Sequence, residues 1–311
     1  MKSNNLTLRA ALLLFLSLAV LLLSSCGDNA AVKDSPSGDN PASGTESRTE
    51  PVSTPLSLIS TAADITEIID GLGRSGELVL CDIYSMGIGS VSDEVCTMDY
   101  LSPDIEAIAA LEPDFVFVSS SSTDGTTDPY SALRELGLEV IYIETARSIE
   151  DIKSNINTVA EAIGETEKAS ELNASIDQAV QDAKDRASGK EPVSVYFEIS
   201  AAPWLYSFGQ GTYLDEIITL CGGVNIYSDS DGWLSNTEES VLLANPSVII
   251  TNVSYEGYDY TEILSRPGWE VVDAVKSSRV YSVDTNASSR GSQNIVKAIN
   301  EISTILCGDA D

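Results

Sequence analysis

The stretch RSIEDIKSNINTVAEAIGETEKASELNASIDQAVQDAKDR, residues 147–186, decides the fold. Ser148 is a candidate helix N-cap, with Asp151 in the capping-box position three residues later. Gly164 interrupts the segment midway, so one long helix and two consecutive helices both fit the sequence. The apolar residues recur at the spacing of one helix face: Ile149, Ile152, Ile156, Val159, Ile163, Leu172, Ile176, Val180 and Ala183.

On each side of this segment, short apolar strands alternate with helical stretches, which is typical of parallel sheets wrapped by helices. We expect an α/β fold of two Rossmann-like lobes with central, mainly parallel sheets, joined by a single long interdomain helix. A plain two-domain chain joined by an ordinary helix is the alternative. The predicted divisions are an N-terminal lobe at 56–146, the bridge at 147–188 and a C-terminal lobe at 189–311. The predicted strands are Leu78–Leu80, Phe115–Val118, Val140–Ile143, Val193–Ile199, Val248–Ile250 and Val280–Val283.

The composition excludes several classes of function. Lys and Arg number 17 against 48 Asp and Glu, a net charge of −31, which repels nucleic acid and anionic lipid. The chain contains no histidine, which removes His-based catalysis and the commonest transition-metal ligand. No intrinsic cofactor or metal site is therefore expected.

The amino terminus has the pattern of a secretory leader. Lys2 and Arg9 precede an apolar run, Ala10–Leu23, that is short for a membrane-spanning helix. The run ends in Ser24-Ser25-Cys26-Gly27, which resembles a bacterial lipoprotein signal, with 1–25 removed and Cys26 lipidated. An ordinary secretory signal is the alternative. Residues 26–55, rich in Ser, Pro, Gly and Asp, predict a disordered tether, which places the protein on the outer face of the cytoplasmic membrane.

Secretion allows disulfides, and four cysteines follow Cys26. Pairs Cys81–Cys96 and Cys221–Cys307 would each stay within one lobe, and four free thiols are the alternative.

Seven motifs identify a family. By their order and spacing the chain resembles the extracytoplasmic solute-binding proteins of ABC importers for iron complexes and cobalamin. The resemblance covers about residues 58 to 306. It implies two α/β lobes bridged by a long helix, a largely preformed cleft and a role in binding and hand-off rather than catalysis. The motifs are Thr66–Gly73, Ser102–Asp114, Gly209–Glu216, Gly222–Asn225, Glu239–Ile250, Arg266–Trp269 and Ala274–Lys276.

The resemblance also implies residue roles. Glu106 and Glu239 match the glutamates with which each lobe of the family contacts permease arginines. Arg290 matches the first arginine of the family's Arg-Pro-Gly-Pro-Arg run, but Asn294 replaces the second arginine. This replacement weakens the expectation that the segment binds an anionic ligand. The expected partners are an ABC permease with its ATPase and one small ligand, with the protein itself a monomer. The candidate ligand contacts are Tyr84, Tyr100, Ser120, Trp204, Tyr206, Trp233, Tyr255, Tyr258 and Arg290.

The ligand is expected to be a metal chelate, because aromatic faces suit a large flat or greasy molecule. Few Arg or Lys residues lie in the cleft loops, which favours a neutral hydroxamate–iron complex or cobalamin over an anionic catecholate. Haem would need Tyr or Met as its axial ligand. A surface enzyme or sensor built on the same lobes is the competing class, but the sequence offers no nucleophile with a base and no metal cluster.

Overall fold

The computed structural model describes residues 55–122 and 128–308. The predicted signal peptide, Cys26 and nearly all of the predicted tether lie outside these residues. Within the described ranges, no helix combines the length and the apolar character needed to cross a bilayer.

The first lobe is built on a five-stranded parallel sheet with strand order β3-β2-β1-β4-β5. The central strand β1 is buried along its whole length. Sequence reasoning found β2, β4 and β5 but missed β1 and β3, because three residues are too few to show a period. The strands are β1 Leu58–Ser60, β2 Leu78–Asp82, β3 Cys96–Met98, β4 Phe115–Ser119 and β5 Val140–Ile143.

Three helices cover this sheet: α1 Ala63–Gly71, α2 Ile105–Ala110 and α3 Ser131–Glu135. α1 buries Ile65, Ile68 and Ile69 against the sheet. The Asp104 side chain accepts a hydrogen bond from Ala107 N (3.0 Å) and so caps α2. Gly137, in a left-handed conformation at φ 88°, follows the C-cap of α3 and ends that helix.

The second lobe contains a four-stranded parallel sheet with strand order β11-β10-β6-β8 and a small antiparallel pair, β7 with β9. Its strands are β6 Val193–Glu198, β7 Tyr206–Phe208, β8 Gly223–Asn225, β9 Trp233–Ser235, β10 Val248–Thr251 and β11 Val280–Ser282. Its helices are α6 Tyr213–Leu220, α7 Glu238–Ala244, α8 Asp273–Lys276, α9 Thr285–Ser289 and α10 Ile295–Cys307.

The segment between the lobes is a helical hairpin and not a single long helix. α4, Ile149–Ile163, begins at the predicted capping box of Ser148 and Asp151. Gly164 then takes a left-handed conformation (φ 79°), which ends α4, and α5 follows as Thr166–Ala187.

Contacts between the two helices show that they run antiparallel. Lys153 Nζ lies 2.7 Å from Asp177 Oδ1, and Asn173 Nδ2 donates to Asn157 Oδ1 at 2.8 Å. α4 packs on α1 of the first lobe, whereas α5 packs on α6 and α10 of the second. One apolar core runs continuously from the first sheet through both helices into the second lobe. The lobes are therefore joined by packed side chains as well as by the chain.

The favoured disulfide pairs do not form, and all four described cysteines are free thiols. Cys81 pairs in the sheet with Thr97, so Cys96 is one residue out of register and points to the opposite face. Cys81 is buried and Cys96 is exposed. In the second lobe, the Cys307 thiol donates to the Cys221 carbonyl (3.4 Å) and Cys221 to that of Ile299 (3.7 Å).

Candidate ligand cleft between the lobes

The carboxyl ends of the first lobe's strands open on a cavity of about 430 Å³, which we call the cleft. All five strands contribute to it through the residues that end or follow them. Asn286 and Ser289 of α9, with Arg290 just after the helix, close it from the second lobe. This is where ligands bind in parallel α/β sheets. The lining consists of Thr61, Ala62, Ala63, Asp64, Asp82, Tyr84, Tyr100, Ser119, Ser121, Thr145, Asn286, Ser289 and Arg290.

Two carboxylates give the floor of the cleft an acidic character. Asp82 is 2% exposed, and its carboxylate accepts hydrogen bonds from the Tyr84 backbone N–H (3.0 Å) and from the Ser85 hydroxyl. Burial raises the pKa of Asp64, and the nearby charges of Glu67 and Asp82 raise it further. The hydrogen bond that the Asp64 carboxylate accepts from Ile65 N lowers the pKa, but by less than burial raises it. Both side chains therefore favour a ligand group that donates hydrogen bonds or carries positive charge.

The second-lobe wall of the cleft is held rigidly by hydrogen bonds around α9. Asp284 caps the helix by accepting from Ala287 N (2.8 Å). The Asn252 amide, just after β10, donates to the hydroxyls of Ser288 (2.9 Å) and Ser289 (3.0 Å). The wall therefore stands preformed before any ligand arrives.

A second cavity of about 730 Å³ adjoins the cleft and shares Asn286 with it. Tyr258 lines it, and the ring of Tyr255 packs against Tyr258 at a tilt of 40°, with 5.0 Å between the ring centroids. The Tyr258 hydroxyl is buried and makes no hydrogen bond of good geometry with the described residues, since the nearby Thr251 hydroxyl donates to the Glu198 carbonyl. Burial raises the pKa of Tyr258 to about 12, with the Glu198 charge adding to the effect.

Arg290 lines the cleft but is not available as an unpaired cation. Its Nη1 donates to Glu67 Oε1 at 2.7 Å, and its Nη2 donates to the Tyr84 carbonyl at 3.3 Å. It therefore joins the second lobe to α1 and to the loop after β2.

The structure places the other predicted ligand contacts in several different positions. Tyr84 and Tyr100 line the cleft with Arg290, while Tyr258 lines the adjoining cavity and Tyr255 packs against Tyr258 without lining it. Ser120 lies between two lining serines, and its hydroxyl accepts from Thr145 N (2.9 Å). Trp204, Tyr206 and Trp233 line neither of these cavities. Trp233 packs edge-on against Phe208 (5.8 Å) and Tyr213, and Trp204 is 81% exposed.

A family model described as periplasmic binding protein matches residues 58–287, most of the chain. The chain belongs to the periplasmic binding protein family. Proteins of this family bind solutes, so the chain is a binding protein and not an enzyme.

Relatives and solved structures agree in length and fold. The chain is 27% identical to an uncharacterized ABC transporter substrate-binding lipoprotein, YvrC, of Bacillus subtilis strain 168, over 97% of this chain and 98% of that protein. It is 24% identical to the vitamin B12-binding protein of Vibrio cholerae, covering 80% of this chain and 88% of the relative. The structure of the periplasmic haem-binding protein RhuT from Roseiflexus sp. RS-1 superposes with a TM-score of 0.70 at 21% identity, covering 81% of this chain and 98% of that one.

In this periplasmic binding protein, the two predicted docking glutamates occupy equivalent places in the two lobes. Glu106 is the second residue of α2 and Glu239 the second residue of α7. Both are exposed, and neither makes a hydrogen bond or ion pair with any residue that the structure describes. Each carboxylate therefore projects from the first turn of a helix in a position open to an external cation.

A buried ion pair supports the helix that carries Glu239. Arg266 binds Glu198 in a bidentate pair (2.6 and 2.8 Å), with Glu198 fully buried. The Arg266 guanidinium also lies over the ring of Trp269, 4.9 Å from its centroid. Trp269 Nε1 in turn donates to Glu238 (2.9 Å), the first residue of α7. The Arg266–Trp269 motif thus fixes the start of α7.

Sequence reasoning missed several residues of the cleft. Asp64, Asn286 and Ser289 sit next to helix caps, where polar residues are common, so no local signal separates them from ordinary capping residues. Glu67 lies in the quoted Thr66–Gly73 motif, but its role was not predicted. Its position among the buried isoleucines of α1 is a usable signal, because a charged residue on a buried helix face needs a partner.

Proposed function

We propose that this protein is the membrane-anchored solute-binding lipoprotein of an ABC importer. It captures an iron–siderophore complex or cobalamin in the cleft and delivers it to the permease. The observation that carries the proposal is the cleft itself, which is lined by the ends of five parallel strands and closed by the second lobe. The similarity to YvrC over nearly the whole length and to a vitamin B12-binding protein supports it.

The lining matches a metal chelate better than a small polar solute. Tyr84 and Tyr100 offer aromatic faces, and Ser119, Ser121 and Thr145 offer hydroxyls. The cleft and the adjoining cavity together have the size of sites that hold large ligands. Tyr258 and Tyr255 extend the aromatic surface, so a large ligand spans both cavities.

Hand-off to the permease uses Glu106 and Glu239. Charge-assisted pairs between carboxylates and arginines are strong and oriented, so one pair on each lobe fixes how the protein sits on the transporter. Because the lobes share one core, the protein presents both carboxylates as a rigid pair. The lipid on Cys26 and the tether keep the protein at the membrane, on its outer face, and it acts as a monomer.

A haem ligand is the second candidate, favoured by the structural likeness to RhuT. The chain has no histidine, so the axial ligand would be a tyrosine, with Tyr84 and Tyr100 in the cleft as the candidates. A haem-binding protein would show a tyrosinate-type visible spectrum that is lost in Tyr84→Phe or Tyr100→Phe.

Uptake in cells tests the importer role. Cells that lack the gene are given the wild type, Glu106→Ala/Glu239→Ala, or Glu167→Ala, and uptake of labelled cobalamin and iron chelates is measured. Glu167 is a matched control, because it is an exposed carboxylate in the first turn of α5. We expect the double variant to lose uptake while the purified protein keeps its ligand affinity. Full uptake by the double variant would contradict the docking role of Glu106 and Glu239. Uptake that does not depend on the gene would contradict the importer function.

A further inference from the structure

Glu67 is the centre of a hydrogen-bonded contact between the lobes. It lies on α1 and is 4% exposed. Its carboxylate accepts from Arg290 Nη1 (2.7 Å) and from the Ser292 hydroxyl, and its carbonyl accepts from Gln293 Nε2 (2.7 Å). Three donors from four consecutive residues of the second lobe therefore converge on one residue of the first.

The contact is close-fitting on both sides. A Cβ at Gly71 would lie 2.6 Å from the Gln293 amide, and a Cβ at Gly291 would lie 3.2 Å from the Cβ of Ala146. The Arg290 side chain is 19% exposed, with Nη1 committed to Glu67 and Nη2 to the Tyr84 carbonyl. Both terminal nitrogens of the Arg290 guanidinium thus donate to oxygens of the first lobe.

The pairing decides the charge of the cleft. Arg290 is the one Lys or Arg among the described residues that line the cleft, which Asp64 and Asp82 also line. The adjoining cavity is lined by no described Lys or Arg; of its two carboxylates, Asp284 forms an ion pair with Lys297 (2.6 Å), and Asp259 pairs with no described cation. Because an ion pair in hydrogen-bond contact has little net field beyond its own length, the carboxylates set the sign of the potential that a ligand meets.

We infer that Glu67 is a specificity-determining residue, which cancels the charge of Arg290 so that the cleft accepts neutral or cationic chelates and rejects anionic ones. This inference rests on the proposed function, whose ligand it narrows. It names the chemical class as a chelate without net negative charge, such as a ferric tris-hydroxamate, a hydroxamate with a free ammonium group, or a cobalamin. In Glu67→Gln the amide cannot neutralise the guanidinium, so Arg290 becomes an available cation beside the ligand.

The test compares the affinities of two iron chelates for four purified proteins by calorimetry. The probes are a neutral ferric tris-hydroxamate and an anionic ferric tris-catecholate. The proteins are the wild type, Glu67→Gln, Glu67→Gln/Arg290→Gln, and Asp70→Asn as the matched control. Asp70→Asn removes one negative charge from the same helix, but Asp70 binds Ser75 and Ser90 rather than Arg290.

We expect Glu67→Gln to shift the affinity ratio toward the catecholate by about tenfold or more, since a charge-assisted contact becomes available. The double variant and Asp70→Asn should keep the wild-type ratio. An unchanged ratio in a Glu67→Gln protein with native circular dichroism overturns the inference. If that variant does not fold, the wild type decides, since tighter binding of the catecholate than of the hydroxamate equally overturns it.

The two proposals fail separately. A wild type that binds the hydroxamate, with no shift in Glu67→Gln, keeps the function and removes the role of Glu67. A wild type that binds neither chelate, with catecholate binding gained in Glu67→Gln, excludes the ferric hydroxamate as the ligand and keeps the role of Glu67.

Discussion

Replacing Arg266 by methionine tests how the second lobe is held together. The guanidinium makes a bidentate pair with Glu198 (2.6 and 2.8 Å), also pairs with Glu262, and covers the ring of Trp269. Methionine fills much of the same space but leaves the fully buried Glu198 without a counter-charge. The largest effect we expect in this variant is therefore the cost of an uncompensated buried carboxylate.

The magnitude follows from the burial of both partners, which are 6% and 0% exposed. Removing one partner of a buried pair costs about 3–5 kcal/mol, which lowers Tm by about 6–20 °C for a folded body of this size. The pH dependence has a definite sign. Burial raises the pKa of Glu198 above its ordinary value even with Arg266 present, and losing Arg266 raises it further. A carboxyl whose pKa is raised in the folded state contributes stability at low pH, and this contribution is lost as the pH rises through that pKa. The difference in unfolding free energy between the wild type and Arg266→Met should therefore shrink from pH 7 toward pH 5.

Urea and thermal unfolding at pH 5, 6 and 7 measure this deficit. Lys276→Met is the matched control, because Lys276 forms an ion pair with Asp273 (3.1 Å) with both side chains about half exposed. That control should unfold with the wild type, since exposed pairs contribute little. A loss under about 1 kcal/mol at pH 7, or a deficit that grows as the pH falls, would refute the reasoning about buried charge.

Three further predictions concern single positions. Gly164→Ala should lower the free energy of unfolding by about 1–2 kcal/mol in urea titrations. A Cβ at this position would meet no other atom, but the backbone φ of 79° is strained for any residue with a side chain. An unchanged urea midpoint would contradict this prediction of backbone strain. Iodoacetamide added to the native protein should modify the exposed Cys96 and spare Cys221, because burial raises the pKa of the Cys221 thiol to about 12. Mass spectrometry measures the modification of each cysteine, and labelling of Cys221 in the native protein would contradict the prediction. Tyr258→Phe should leave the stability of the ligand-free protein unchanged, because the Tyr258 hydroxyl has no well-formed hydrogen bond to lose. The same change should weaken chelate affinity by up to about tenfold. Equal affinity of the variant and the wild type would show that Tyr258 does not contact the ligand.

Local signals gave the sequence predictions that the structure confirms. The capping box of Ser148 and Asp151 follows from side chains that act within one turn of their own helix. That Tyr84 and Ser119 lie at one edge of the first sheet also follows from the predicted strands that precede them, because parallel strands end at a common edge.

The features that sequence reasoning missed depend on distant contacts. Gly164 is compatible with a kinked helix and with a hairpin, and contacts such as Lys153 with Asp177 select the hairpin. Glu67 meets Arg290 across 223 positions of chain, so neither residue indicates the other locally. β1 has only three residues, and its central place in the sheet comes from its neighbours β2 and β4.

Titration of the purified protein with cobalamin, a neutral ferric hydroxamate, an anionic ferric catecholate and haem tests the central claim most directly. Calorimetry is suitable because it needs no reporter near the site, whereas Trp204 and Trp233 line neither cavity. We expect saturable one-to-one binding of one uncharged or cationic chelate below micromolar concentration, weakened by Tyr84→Ala in the cleft. No saturable binding by any of the four, or tight binding unaffected by Tyr84→Ala and Tyr100→Ala, would contradict the claim that this cleft captures a metal chelate.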